Sequence, residues 1–304
     1  MAISAQQVKE LREISGAGIM DCKKALQETG GDMDEALTYL QKKGEAAAEK
    51  KASRTAAEGL VQTWLNDDAT EAVLVEVNCE TDFVAQNDQF QVFVDKIAET
   101  IGVSKASSIE ELAQVTVLGE DKTVGDYTSD QITTIGENIK ARRFLRYQVK
   151  KGLIGAYIHA GGQIGVLVQV DAPEETDQAQ LESFARDVAM HIAAMNPGYL
   201  SVDDIPEEDQ EAQREILKAQ AEEMDKPESV IDKIVTGRLK KWQSENTLLS
   251  QPFVKNSDQT VAEFVDTVDG AELVSFVRYE VGEGIEKKEE KSLSEEVAEQ
   301  LRGN

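Results

Sequence analysis

The chain has little of what staples, ligates or attacks. It carries two cysteines, Cys22 and Cys79, and two histidines, His159 and His191. Two cysteines in 304 residues cannot build a disulfide framework, and they read as reduced thiols of an intracellular protein. A zinc site made from these four residues would draw on distant segments with no local ligand pair, so no metal site is expected. Local nucleophile signatures of serine hydrolases and cysteine proteases are missing, which argues against an enzyme with covalent catalysis. A GxxxxGK[ST] loop is absent as well, and Gly161-Gly-Gln-Ile-Gly165 falls inside a hairpin instead of leading from strand to helix. Neither bound nucleotide nor any other cofactor is expected. No apolar run approaches the roughly 20 residues that a bilayer span needs. The segment Met1–Glu10 has neither a secretory nor a transit pattern, so a cytoplasmic protein without membrane contact is expected. Few prolines and 40% apolar residues fit a globular chain of two or more domains.

Cations are also scarce: 32 Lys and Arg stand against 58 Asp and Glu, a formal net charge of −26. Nucleic-acid affinity rests on cations that displace condensed counterions, so direct nucleic-acid binding is disfavoured. The pairs Lys42-Lys43, Lys50-Lys51 and Arg142-Arg143 lack interleaved aromatics and read as solvated faces. The acid excess favours solubility and would speed encounter with a positively charged protein surface.

Residues 4 to about 51 carry the periodicity of three short helices. Ser4 is placed to cap the first, where Val8 and Leu11 share a face, and Gly16 and Gly18 break it. A second helix from Met20 or Asp21 stops at Gly30-Gly31, and Asp32 caps a third with Ala36, Leu37 and Leu40 inward. This unit, residues 1–54, resembles a ubiquitin-associated (UBA-like) three-helix module, with its apolar contact loop at Gly16-Ala-Gly-Ile-Met20. The stretch Ala46–Ala52 extends the last helix as a charged connector that would let the module stand away from the rest.

An internal repeat of about 93 to 95 residues follows. Gly59-Leu60-Val61 and Trp64 recur as Gly152-Leu153-Ile154 and Tyr157, and Val73–Val77 recurs as Val166–Val170. Phe93, Ile97 and Ala98 correspond to Val188, Ile192 and Ala193. Each copy reads as an antiparallel hairpin with a helix on its inner face, giving an α+β fold. The first core unit spans 55–150 and the second spans 151–204 with 246–285. The joint between them should hold a helix from about Ser129 to Lys140, with Ile132, Ile135 and Ile139 on one side, and a strand from Arg143 to Val149. Residues 205–245, interrupted by Pro227, read as an inserted antiparallel coiled-coil helical hairpin. Its thin seam would draw on Ile216, Leu217, Met224, Val230, Ile231, Ile234, Val235 and Leu239. Ala271–Val281 should return as a strand to the second unit, and 286–304 is a charged tail with a weakly docked helix around Leu293, Val297 and Leu301. The two hairpin tips diverge, Asn66-Asp-Asp-Ala-Thr70 in the first copy and His159-Ala-Gly-Gly-Gln163 in the second, so each unit offers one distinctive contact place.

The first copy also differs just past its second strand, where the apolar run ends in Asn78-Cys-Glu-Thr-Asp-Phe-Val84. Thr81 or Asp82 can cap a helix that runs through Phe83, Phe90, Phe93, Ile97 and Ile101. Locally, Phe83 can fold back onto the core or be presented outward beside the Asp82 carboxylate; first-turn aromatics commonly do the former.

The segment Thr81-Asp-Phe-Val84 resembles the signature of the bacterial elongation factor Ts family, the nucleotide exchange factors of the GTPase elongation factor Tu. Leu11–Leu26, Gln251-Pro-Phe-Val254 and Arg278–Lys287 are similar to further segments of that family, in the same order and nearly end to end. The resemblance implies an exchange factor that accelerates GDP release by disturbing the magnesium and phosphate site of elongation factor Tu. It would meet both the GDP-bound and the nucleotide-free partner. Thr81, Asp82, Phe83 and Val84 would then dislodge the magnesium ion, with Phe83 as the wedge. Leu11, Arg12, Gly16, Gly18, Ile19 and Met20 would belong to the gripping module, methionine being more usual at the position of Ile19. Tyr157 and His159 would contact the phosphate-binding side. Ala160 and Gln163 depart from the glycine and basic residue common in the family. The rival reading is a non-catalytic adaptor built on the UBA-like module and the coiled-coil arm. Self-association through the core or the helical hairpin is open on either reading.

Overall fold

A computed structural model describes residues 3–224 and 226–286, so the expected helix around Leu293 lies outside the described residues. The N-terminal unit is three helices, α1 (Ala5–Ser15), α2 (Ile19–Glu28) and α3 (Met33–Lys51). Ser4 and Gln7 form a reciprocal cap: the Ser4 hydroxyl accepts from the Gln7 amide at 3.2 Å and the Gln7 side chain accepts from the Ser4 amide at 3.1 Å. Gly16, at φ +69°, closes α1 in the left-handed conformation, and Asp32 accepts from the Glu35 amide at 2.9 Å to open α3. Leu11, Cys22, Leu26, Ala36 and Leu40 fill the small core between the helices. The second helix begins at Ile19, slightly earlier than expected, because Gly18 takes the extended N-cap conformation.

The first core unit holds the hairpin β1 (Glu58–Leu65) and β2 (Glu71–Cys79), then α4 (Asp82–Ala85), α5 (Asp88–Val103), α6 (Ile109–Ala113), α7 (Val124–Ile135) and β3 (Lys140–Gln148). The sheet order is β1-β2-β3, all antiparallel, and α5 lays Phe90, Phe93, Val94 and Ile97 onto Leu60, Val73, Val75 and Val77. Three expectations need correction. The helix expected to run on from Thr81 or Asp82 is split at Gln86-Asn87, since the Asn87 side chain accepts from the Gln89 amide at 2.8 Å and starts α5 afresh. The helix expected from Ser129 to Lys140 starts earlier, where Thr123 caps it, and stops at Gly136, at φ +92°; Ile139 is buried in the link to β3 instead. Nor does α3 lead to a detached module: its second half lies along α7, with Lys51 Nζ donating to the Ile132 carbonyl at 3.2 Å.

The second unit holds β4 (Leu153–His159), β5 (Ile164–Asp171), α8 (Gln178–Met195), the helical pair α9 (Glu207–Glu222) and α10 (Glu228–Asn246), a small hairpin β6 (Pro252–Phe253) and β7 (Asn256–Thr260), α11 (Val261–Val265) and β8 (Glu272–Glu280). Its sheet runs β4-β5-β8 under α8. Within the helical pair the buried seam is Leu217, Ala221, Val235 and Leu239, while Ile216, Met224 and Val230 face outward, contrary to the expectation that they join it. His191 is a buried core residue that accepts from the Val254 amide at 3.1 Å and bonds Gln251 at 2.9 Å. Those two bonds fix the Gln251–Val254 segment to α8.

The repeat reaches further than the hairpins. Phe144-Leu-Arg-Tyr147 on β3 pairs with Val75 to Ala72, and Phe276-Val-Arg-Tyr279 on β8 pairs with Val168 to Gly165, so the third strands correspond as well. Each sheet carries its irregularity at the same place, between Glu76 and Val77 and between Gln169 and Val170. Gly59 and Gly152, at φ +140° and +72°, are required by the same crowding, because a Cβ there would stand 2.1 and 1.9 Å from the carbonyl oxygens of Val77 and Val170. The copies also grip each other reciprocally: the Val61 amide donates to the Gly162 carbonyl at 2.7 Å, and the Ile154 amide donates to the Ala69 carbonyl at 2.8 Å. Val61, Leu74, Ile154 and Leu167 pack between the sheet backs. Each such side chain contributes about 1.5–3 kcal/mol when buried, which joins the two copies into one scaffold. The Asn66–Thr70 tip is held to the second unit through its Ala69 carbonyl, as the His159–Gln163 tip is held to the first through its Gly162 carbonyl.

Candidate partner-contact site

The segment beyond β2 is built around one outward ring. Thr81, not Asp82, is the cap of α4, accepting from the Val84 amide at 3.4 Å. Ala85 is buried and Val84 packs on the first core, so one turn of helix is anchored by its far side. Asp82 and Phe83 are left on the open side, with Phe83 81% exposed. The inward alternative for Phe83 is therefore not what the chain adopts. A large ring in water forgoes about 1.5–3 kcal/mol of burial.

The turn is held by residues that sequence reasoning missed. Glu137, in the link from α7 to β3, accepts from the amides of Glu80 and Thr81 at 3.0 Å each and from the Thr81 hydroxyl at 2.7 Å. In return the Glu80 carboxylate accepts from the Asn138 amide at 2.6 Å, and Asn138 Nδ2 donates to the Arg54 carbonyl at 2.8 Å. Beneath them the Cys79 thiol donates to the Thr81 carbonyl at 3.2 Å, and burial, with the nearby Glu137 charge, pushes its pKa up to about 12. The available signal was Gly136, a helix stop followed at once by two polar residues.

At the second tip Tyr157 is half-buried against the second core and His159 is exposed, with the Tyr157 hydroxyl 3.1 Å from His159 Nδ1. Ala160, Gly161 and Gly162 all take left-handed φ values of +50°, +66° and +98°. Gln163 Nε2 reaches the Gly59 carbonyl at 3.4 Å, and Gly59 faces Asn78 across the first sheet. The tip therefore sits at the same end of the scaffold as the strand that leads to Phe83.

The N-terminal residues do not all share one fate. Leu11 is a correction: it is 1% exposed inside the three-helix core, because it is the apolar position that closes α1 on its neighbours. Arg12, Gly16, Gly18, Ile19 and Met20 are exposed, with Met20 at 74%. Gly16 and Gly18 shape the loop by capping α1 and α2. Ile14 is exposed as well, which was not foreseen.

Among the described residues no group of three or more His, Cys, Asp or Glu side chains could hold a metal ion, and no helix is long and apolar enough to cross a membrane. The exposed ring on its clamped turn and the second tip lie at the same end of the scaffold, and the three-helix unit presents Ile19 and Met20 outward. A sequence model of the family described as Elongation factor TS matches residues 80–283. The chain is 48% identical to the elongation factor Ts of Clostridium kluyveri (strain NBRC 12016) over 307 residues, covering 99% of both chains. It is likewise 48% identical to that of a Nitratiruptor species over 99% of this chain and 100% of the relative. With that of Clostridium perfringens (strain 13 / Type A) it shares 47% over 97% of this chain and 98% of the relative. The chain belongs to the elongation factor Ts family, and so among the factors of translation elongation.

Proposed function

We propose that this protein is a guanine nucleotide exchange factor that accelerates GDP release from elongation factor Tu, without covalent catalysis, in the cytoplasm. The observation that carries this reading is the outward Phe83 on its clamped turn, 81% exposed next to the Asp82 carboxylate. The ring enters beside the partner's magnesium site and displaces side chains that support the hydrated cation, weakening its hold on the β-phosphate. Asp82 sets the local charge, and Thr81 and Val84 fix the turn. Tyr157 and His159 assist at the phosphate loop from the same end of the scaffold. The three-helix unit serves as a UBA-like gripping module through Arg12, Ile19 and Met20, of which Ile19 and Met20 are large apolar side chains left exposed.

A factor that lowers GDP affinity must itself be bound more weakly by the GDP form, by the same factor. It speeds exchange without moving the overall equilibrium. The test is release of fluorescent GDP preloaded on elongation factor Tu, with this protein in catalytic amounts. Accelerated release supports the proposal. Binding with an unchanged release rate refutes it and leaves an adaptor.

A further inference from the structure

We infer that Glu137 is a positioning residue for the exchange reaction, whose carboxylate holds the Phe83 turn in the orientation that the partner meets; the role rests on the function proposed above. The helix α4 is four residues long, too short to be stable by its own hydrogen bonds. Phe83 itself contributes little packing, since most of its ring lies in solvent. Val84 and Ala85 anchor the far side, and the Cys79 thiol holds the Thr81 carbonyl from below.

Against this, three donors from two consecutive residues converge on one carboxylate 56 and 57 positions away in sequence: the amides of Glu80 and Thr81, and the Thr81 hydroxyl. The hydroxyl proton is committed to Glu137, because the same oxygen accepts from the Val84 amide as the cap of α4. One carboxylate therefore fixes both the entry to the turn and the cap that shapes it. Its own aim is rigid. Gly136 closes α7 with its amide on the Ile132 carbonyl at 3.0 Å, and Asn138 and Ile139, immediately after, are buried. The return bond from the Asn138 amide to Glu80 makes the two loops lock each other. Charge-assisted bonds of this kind are the stronger sort. A ring held ready loses less freedom on docking, so the clamp acts on the partner step rather than on the fold.

The variants are Glu137→Ala, Glu137→Gln, Phe83→Ala and the Glu137→Ala/Phe83→Ala double variant, all in the full chain. For Glu137→Ala, amide exchange at Glu80 and Thr81 should rise at least about tenfold, with the β2 amides from Val73 to Val77 unchanged. Release of fluorescent GDP from elongation factor Tu, at factor concentrations below saturation, should fall by about tenfold. Glu137→Gln retains an acceptor oxygen for the two amides and should recover much of both readouts. If Glu137 acts through Phe83, the double variant releases GDP no more slowly than Phe83→Ala alone. Three results overturn the role: unchanged exchange at Thr81 in Glu137→Ala, wild-type GDP release despite a loosened Thr81, or a double variant far slower than Phe83→Ala. A wild-type protein without effect on GDP release refutes the proposed function and this role together, whereas an active wild type with an equally active Glu137→Ala refutes the role alone.

Discussion

Glu76→Gln should loosen the scaffold in a way that depends on pH. Glu76 lies in the middle of β2 with no exposed surface, and its carboxylate gathers five hydrogen bonds. Arg142 Nη1 donates to each oxygen at 3.1 Å, Arg143 Nε at 2.6 Å, the Gly282 amide at 2.8 Å and Asn78 Nδ2 at 3.0 Å. The same arginines reach on to Glu280 and Glu283, and the Arg143 guanidinium lies 4.1 Å over the Tyr279 ring. One carboxylate thus fastens the turn just beyond β8, at Gly282, onto the first sheet. Removing one partner of a buried ion pair costs about 3–5 kcal/mol. The arginine side chains are 24% and 30% exposed and can rehydrate, so a loss of about 2–3 kcal/mol is expected. Burial alone would raise the Glu76 pKa, but hydrogen bonds from Gly282, Asn78 and Arg143, with the Arg143 charge, hold it below its ordinary value. A folded-state pKa below the unfolded one means that the stabilisation is complete above the unfolded pKa of about 4.3 and is lost as pH falls through the folded value. Urea unfolding of wild type and Glu76→Gln should therefore differ most at neutral pH, and the gap should narrow in acid. Equal stability at pH 7, or a gap that persists unchanged in acid, would refute the reasoning.

The paired glycines offer a second check: Gly59→Ala and Gly152→Ala, whose new Cβ atoms would stand 2.1 and 1.9 Å from carbonyl oxygens, should each destabilise by about 1–3 kcal/mol or more in thermal unfolding. Gly237→Ala, in the open middle of α10, should instead stabilise by up to about 1 kcal/mol; a loss at Gly237 equal to that at Gly59 would contradict the crowding argument. The thiols make a third. Cys22 and Cys79 are both free and buried, and with its pKa near 12 Cys79 should resist iodoacetamide at pH 8 until the chain is unfolded. Rapid labelling of Cys79 in the native protein would show that the turn above it is open.

Features fixed by neighbours in sequence were the legible ones. Ser4, Asp32 and Gly16 cap or close helices through bonds to residues three or four away, and the apolar runs Val73–Val77 and Val166–Val170 announce two central strands. Helix limits failed where a competing cap was overlooked, Asn87 in one case and Thr123 with Gly136 in another. Both third strands were expected, but their correspondence to each other escaped notice although Phe-x-Arg-Tyr-x-Val occurs at both 144–149 and 276–281. The inserted helical pair separates β8 from its sheet partners, so no constant period survives there. Phe83 could not be settled from its surroundings, since a first-turn ring satisfies either direction. Glu137, which fixes the turn that carries it, comes from the far side of α5, α6 and α7. Leu11 was assigned to contact because its segment was read as one motif, although its spacing from Val8 already put it on the inner face of α1; Ile14, three positions on, has the same spacing and is nonetheless exposed next to the helix end.

The most direct test compares wild type and Phe83→Ala in fluorescent GDP release from elongation factor Tu. A ring 81% exposed adds little to the core, so stability should stay within about 0.5 kcal/mol. Loss of a central contact worth about 2 kcal/mol should cut the stimulation roughly 30-fold. Full stimulation by a folded Phe83→Ala protein would contradict the account.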